Sequence, residues 1–280
     1  MPRPLRVSLA VLVVAAAGCG QGFDQTRENE KPLKVAHAAG ESKVPGEAEL
    51  PLALTDGALD AILALRDEPV AALLPGARAP YYLRRPGLRV ERPLLGQHLL
   101  RVKVLDPDVI LADKSLQGQL WERLSKIAPT VMTEGGRAAN WKLDLRLYGE
   151  ALGRTNDAEA LLSRWDRTAA AARRRLRPLE GTRVAVVRML PGRTRLARPE
   201  SFPGKVVADA GLVPAEERRG ADVVLVSRAP GVRATPASAG LRKAQVVDDR
   251  LWWNGDGLLA ARAALRELER ALASAGQAGQ

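Results

Sequence analysis

The feature that most constrains the fold is an alternation of short apolar runs with segments of helical periodicity. Runs rich in β-branched residues predict strands, and apolar residues spaced three or four positions apart predict amphipathic helices between them. This alternation is typical of parallel βα units, so the sequence predicts an α/β fold. The first predicted strands are residues 51–55, 69–74, 108–112 and 128–132.

A long helix is predicted from Asn156 to Arg177, because its apolar residues form one stripe that ends at Pro178. A second set of predicted strands follows it, at residues 182–188, 221–227 and 244–248. We therefore expect two α/β lobes bridged by one long helix. The expected boundaries are 35–153 for the first lobe, 154–178 for the connecting helix and 179–280 for the second lobe.

The N-terminus predicts export. Two arginines precede an apolar run, Val7–Ala17, that is too short to span a bilayer. The run leads into Ala16-Ala17-Gly18-Cys19, which resembles the lipobox of bacterial lipoproteins. We expect residues 1–18 to be a signal peptide, Cys19 to be lipidated with acyl chains such as palmitate, and residues 19–34 to form a tether. The alternative is an ordinary signal peptide that happens to contain a cysteine.

The chain is strongly basic, with 43 lysines and arginines against 32 acidic residues and a net charge of +11. Such a charge is common in nucleic-acid-binding proteins, but an exported chain does not meet chromosomal DNA. We therefore expect no nucleic-acid partner. The charge instead predicts an anionic partner outside the cytoplasm: a small molecule, a wall polymer or lipid headgroups.

Catalytic sequence motifs are missing. The chain has no glycine-flanked nucleophile serine, no phosphate loop ending in Lys-Ser or Lys-Thr, and no paired-histidine zinc helix. Its two histidines, His37 and His98, lie far apart, and its single cysteine excludes an intrachain disulfide. The sequence therefore predicts a protein that is not an enzyme and that holds no cofactor and no metal ligated by its own side chains.

Arginines beside aromatic residues are predicted at loops and strand ends. Arg188 and Arg228 end predicted strands of the second lobe, where open α/β sheets bind ligands. Guanidinium groups bond to anionic oxygens and stack on flat rings, so Arg188 is predicted to hold a ligand's negative charge. For the other residues a solvated surface, or for a tryptophan the core, is the alternative. The predicted ligand-binding residues are Tyr81, Tyr82, Arg84, Arg85, Arg188, Arg193, Arg228, Trp252 and Trp253.

Several segments, taken in order, resemble one known family. Asp106–Leu111 resembles its PDLIL strand, and Leu124–Val131 resembles its L-x-x-IAPTV segment. Ser201–Leu212 is similar to a helix that ends in DAGL, and Trp253–Gly257 is similar to the closing segment. Together these segments resemble iron-siderophore substrate-binding lipoproteins of bacterial ABC importers. The resemblance covers residues 35–273.

This resemblance implies two lobes that open and close only slightly and hold a ferric chelate in a cleft between them. It implies a monomer, lipid-anchored on the extracytoplasmic face of the cell membrane, that captures an anionic ferric siderophore and delivers it to an ABC permease. The siderophore already wraps the iron, so the protein need not ligate it.

One departure concerns the permease contact. Leu100 stands where the family usually has an acidic residue, and Glu216 and Glu217 are the only acidic candidates for the contact of the second lobe. The alternatives are a binder of haem or a corrinoid, or a diverged lipoprotein that acts as an interaction or sensory module. An exported hydrolase is the least supported alternative, because no nucleophile can be paired with a base.

Overall fold

The structure is a computed structural model that describes residues 31–74, 78–92, 98–136, 140–241 and 244–277. The predicted signal peptide, Cys19 and most of the predicted tether lie outside these ranges. Within these ranges, no helix is both long enough and apolar enough to cross a membrane.

Strands and helices alternate along the chain, as the sequence predicts. The strands are β1 (Leu33–His37), β2 (Gly40–Val44), β3 (Pro51–Ala53), β4 (Ala71–Leu73), β5 (Val90–Glu91), β6 (Val109–Asp113), β7 (Thr130–Thr133), β8 (Arg183–Leu190), β9 (Arg193–Leu196), β10 (Val213–Pro214), β11 (Val223–Arg228) and β12 (Gln245–Val246). The helices are α1 (Asp56–Ala64), α2 (His98–Leu105), α3 (Lys114–Gln117), α4 (Trp121–Leu124), α5 (Trp141–Ala151), α6 (Thr155–Arg175), α7 (Phe202–Asp209), α8 (Asp249–Asn254) and α9 (Leu258–Gln277).

Two parallel sheets form the α/β fold. The first has the order β5-β4-β3-β6-β7, and all its strands except the edge strand β5 are buried on both faces, which explains their largely apolar sequences. The second has the order β10-β8-β11-β12, with β9 added antiparallel to the end of β8. The seven strands predicted from the sequence are all present as β3, β4, β6, β7, β8, β11 and β12.

Helix α6 lies inside the predicted connecting segment, 154–178, and its 21 residues span about 30 Å. Its buried stripe includes Trp165, whose ring packs edge-to-face on Trp141 at 5.3 Å between ring centroids. The indole Nε1 of Trp165 donates to Asp209 on α7 at 2.8 Å. Helix α6 therefore packs on helices that belong to both sheets.

The two lobes share one hydrophobic core. It contains buried residues of α1, α5, α6, α7 and α9. Each sheet also has one smaller hydrophobic cluster, on its other face. Because the core crosses from one lobe to the other, the lobe boundaries at 153 and 179 remain predictions. A shared core also opposes large rigid-body motion of the lobes.

A buried carboxylate joins the lobes. Asp60 on α1 is 1% exposed and accepts the backbone N–H groups of Leu259 (2.9 Å) and Ala260 (2.8 Å), at the N-terminus of α9. A Cβ at Gly257 would lie 2.2 Å from the Asp60 carboxyl carbon, so only glycine fits there. Asp256 lies just before α9, where a capping residue is expected, but Asp60 from the other lobe accepts those N–H groups.

Candidate functional site

A cavity of about 480 Å³ opens between the carboxyl ends of the two sheets. The first lobe contributes residues that follow β3, β6 and β7, and the second contributes residues of β8 and α8. This is where parallel α/β sheets bind ligands. The lining residues, here called the cleft cavity, are Leu54, Thr55, Asp56, Gly57, Asp113, Leu116, Thr133, Asp144, Tyr148, Arg188, Pro230, Asp249, Arg250, Asn254 and Asp256.

Arg188 lines the cavity, but its charge is already paired. It donates from Nε to Asp249 Oδ1 at 2.8 Å and from Nη2 to Asp249 Oδ2 at 2.6 Å. Ser227 donates its hydroxyl to the same carboxylate at 2.9 Å. Both Arg188 and Arg195 lie over the ring of Trp253, at 5.8 and 5.4 Å from its centroid. The role of Arg188 in holding an anion stays a prediction, and it requires sharing the guanidinium with Asp249.

Arg250 is paired in the same way. Its Nη2 lies 3.2 Å from each carboxylate oxygen of Asp56, so the pair connects α8 of the second lobe to α1 of the first. Burial raises the pKa of Asp56, and the charge of Arg250 opposes this shift. Both arginines that line the cavity therefore face carboxylates of the protein itself.

Three further carboxylates line the cavity. Asp113 accepts the N–H and the hydroxyl of Ser115 at 2.7 and 2.6 Å, whereas Oδ2 of Asp144 is buried and has no hydrogen-bond partner among the described residues. Burial, reinforced by the charge of Asp256, raises the pKa of Asp144 to about 8. Burial and the charge of Asp113 raise the pKa of Asp256 to about 6, against the opposing charge of Lys205. The cavity is therefore acidic and favours protons, cations or hydrogen-bond donors.

The aromatic residues predicted for the site lie in different environments. Trp252 is 0% exposed and donates Nε1 to Glu267 at 2.7 Å, so it belongs to the core and does not reach the cavity. Tyr81 is 48% exposed and Tyr82 is mostly buried, and the two pack edge-to-face outside the cavity lining. Only Trp253 lies next to the site, behind Arg188.

The remaining predicted arginines, Arg84, Arg85, Arg193 and Arg228, are exposed and do not line the cavity. Arg193 was expected in a loop, but it starts β9, because β8 continues two residues beyond Arg188 and turns back as a hairpin. Arg228 ends β11, the strand beside β8.

Sequence reasoning missed the aspartates of the cleft cavity. The carboxylate pair that is visible in the sequence, Asp106 and Asp108, lies before β6, at the amino end of the strand. The informative signal was Asp113 at the carboxyl end of the same strand. Within the described residues, those of the cleft cavity included, no group of three or more His, Cys, Asp or Glu side chains is arranged to hold a metal ion.

Residues 101–230 match the family model described as periplasmic binding protein. The chain is 28% identical over 215 residues to the probable siderophore-binding lipoprotein YfiY of Bacillus subtilis, an alignment that covers 73% of this chain and 64% of YfiY. The match thus spans slightly less than two thirds of that relative.

Two solved structures share the fold. One is a periplasmic solute binding protein from Mycobacterium smegmatis, with a TM-score of 0.74 and 20% identity over 87% of this chain and 98% of that one. The other is Staphylococcus aureus SirA complexed with staphyloferrin B, with a TM-score of 0.68 and 21% identity over 86% of this chain and 98% of SirA. The chain therefore has the fold of these binding proteins, and residues 101–230 are similar in sequence to the periplasmic binding protein family.

Proposed function

We propose that this protein captures a ferric siderophore in the cleft cavity outside the cytoplasm and delivers it to an ABC permease. The observation that carries the proposal is a cavity of about 480 Å³ lined from both lobes at the carboxyl ends of their strands. This volume is within the usual range for small-molecule sites, about 300–1,000 Å³. The names of relatives support the siderophore as the ligand class.

The charge of the cavity favours a neutral or cationic chelate over the anionic one expected from the sequence. An anionic chelate would face Asp113, Asp144 and Asp256, and it would have to compete with Asp249 and Asp56 for the two arginines. A chelate that carries an ammonium group or N–H donors would instead provide a partner for Asp144 Oδ2, which has none among the described residues.

Tryptophan fluorescence tests the proposal, because Trp253 lies behind Arg188. We expect quenching and saturable binding with at least one ferric siderophore, and much weaker binding of the same siderophore without iron. Haemin and a corrinoid are the controls for the alternative ligands. If only haemin or only the corrinoid bound saturably, that compound would be the ligand in place of a siderophore. If no chelate bound, the result would favour an interaction or sensory module.

We further propose that Cys19 carries the lipid anchor. The support is the lipobox-like segment, residues 16–19, together with the lipoprotein among the relatives. Cys19→Ser should leave the protein unlipidated, and either released from cells or retained as precursor. Fractionation after radioactive palmitate labelling measures both properties. Membrane retention and labelling of the variant at wild-type levels would contradict the proposal.

A further inference from the structure

Arginine side chains from both helices line a groove between α6 and α9. None of the residues that line this groove also lines the cleft cavity. Adjoining cavities of about 590 and 520 Å³ lie along this groove. At a rise of 1.5 Å per residue, the two rows of arginine, one on each helix, are about 12–17 Å long. The arginines, here called the arginine groove, are Arg164, Arg167 and Arg175 on α6 and Arg262, Arg266 and Arg270 on α9.

The groove contains more positive charge than the protein neutralises. Glu269 is the single acidic residue of its lining, and it accepts two bonds from Arg175, at 3.0 and 2.6 Å. The other five arginines form no ion pair with any residue in the described ranges.

Arg262 shows the cost of this arrangement. Burial lowers the pKa of its guanidinium, and the charges of Arg164 and Arg266 lower it further, with partial compensation by Asp60. Like charges held together in a partly desolvated groove repel one another until an anion neutralises them. The groove is therefore arranged to receive negative charge from outside the protein.

We propose that the arginine groove binds the phosphate headgroups of anionic phospholipids in the membrane to which the chain is anchored. Guanidinium groups match phosphate oxygens in geometry and charge, and two extended rows suit several neighbouring headgroups better than one isolated anion. The inference rests on the lipid anchor at Cys19. Twelve residue steps separate Cys19 from Lys31, at most about 40 Å of chain, so the anchor would keep the rest of the protein close to the same bilayer.

Vesicle co-sedimentation tests this proposal. The exported protein carries Cys19→Ser, so that no acyl chain contributes to binding. We expect it to bind phosphatidylcholine vesicles that contain phosphatidylglycerol, to ignore vesicles of pure phosphatidylcholine, and to dissociate as salt is added. Substitution of Arg164, Arg262 and Arg266 by glutamine should weaken binding about fivefold per residue, or roughly a hundredfold in the triple variant.

The matched control removes the same charge from exposed arginines elsewhere, as Arg123→Gln, Arg219→Gln and Arg233→Gln. This variant should lose much less affinity. An equal loss of affinity in both triple variants would show that only net charge matters, and would contradict the groove as the lipid-binding site. Binding to soluble poly(glycerol phosphate) without binding to anionic vesicles would show that the groove binds a polymer, and would contradict phospholipids as its ligand.

Failure of this inference can be distinguished from failure of the proposed function. Neither triple variant changes a residue of the cleft cavity, so both should bind a ferric siderophore like the wild type. Loss of siderophore binding in both variants would implicate misfolding, which a thermal melt detects. If the wild-type protein bound a siderophore but no lipid, the lipid-binding role of the groove would be rejected and the proposed function would stand.

Discussion

The cleft cavity and the arginine groove handle arginine in opposite ways. In the cavity, Arg188 and Arg250 are neutralised by Asp249 and Asp56, and three more aspartates leave the site acidic. In the groove, Glu269 pairs with Arg175, and the other five arginines have no ion pair within the described part of the chain. A chain with a net charge of +11 therefore keeps its positive charge outside the ligand cavity. Net charge predicts the partners of a surface, whereas the charge of a site depends on which residues the fold brings together.

The largest expected effect concerns pH and separates the two regions. Asp60, in the core between the lobes, has a pKa raised to about 7, mainly by burial, and burial also raises those of Asp144 and Asp256 in the cavity. Between pH 5 and 8 the folded protein thus binds more protons than the unfolded chain, so stability falls as pH rises. Asp60 alone should contribute a loss of about 3 kcal/mol, measurable by urea unfolding at both pH values.

Asp60→Asn should flatten this pH dependence, whereas Arg266→Gln in the groove should leave it unchanged. The reason is that arginine stays protonated throughout this range. If the free energy of unfolding of the wild type were the same at pH 5 and pH 8, this would contradict the raised pKa values of the buried carboxyl groups.

The next effect compares one arginine from each region. Arg188→Ala removes the partner of Asp249, which is mostly buried, and should destabilise the protein by about 2–4 kcal/mol. For a chain of this length the melting temperature should fall by roughly 5–10 °C. Arg266→Ala removes a residue that has no ion pair with the part of the chain that the structure describes, and it should change stability by less than about 0.5 kcal/mol.

The double variant Arg188→Ala, Asp249→Ala sharpens this test. It removes both charges, so it should recover part of the stability that Arg188→Ala loses. If Arg188→Ala melted like the wild type, the Arg188–Asp249 pair would contribute no stability, and the arginine would be available to an anion after all.

The smallest expected effect is the motion of the lobes. Helix α6, the shared core and the contact of Asp60 with α9 join the two sheets, so ligand binding should barely change the shape of the molecule. X-ray scattering curves with and without a ferric siderophore should overlay. A clear decrease in the radius of gyration on binding would show a hinge that these contacts should prevent.

Much of the fold could be predicted from the sequence, because buried strands and amphipathic helices have distinct periodicities. Seven strands of the two sheets and helix α6 follow from those patterns, whereas the short strands β5, β9 and β10 do not. The β1–β2 hairpin could not be predicted, because its strands, LKVAH and GESKV, are short and partly polar. The apolar residues after Ser115 are spaced as in one helix, but the structure has two short helices there, α3 and α4, and Asp113 caps the first.

The site was less predictable, because its contacts join distant parts of the chain. Arg188 could be placed by its position near a strand end, but its partner Asp249 lies 61 residues further on. Trp252 and Trp253 precede Asn254-Gly255, a sequence typical of a turn, yet both lie in α8, where adjacent residues point about 100° apart. One of them therefore enters the core while the other reaches the site, a difference that the sequence pattern does not contain.

The affinity for two matched chelates tests the central claim most directly. Ferrioxamine B carries a free ammonium group, and its N-acetyl derivative is the same ferric chelate without that charge. The acidic cavity predicts tighter binding of the charged form, by about tenfold, with the gap widening as pH rises from 6 to 8 and narrowing in Asp144→Asn. Equal affinities, or tighter binding of the acetylated form, would contradict the claim that the carboxylates of the cleft cavity determine its ligand selectivity.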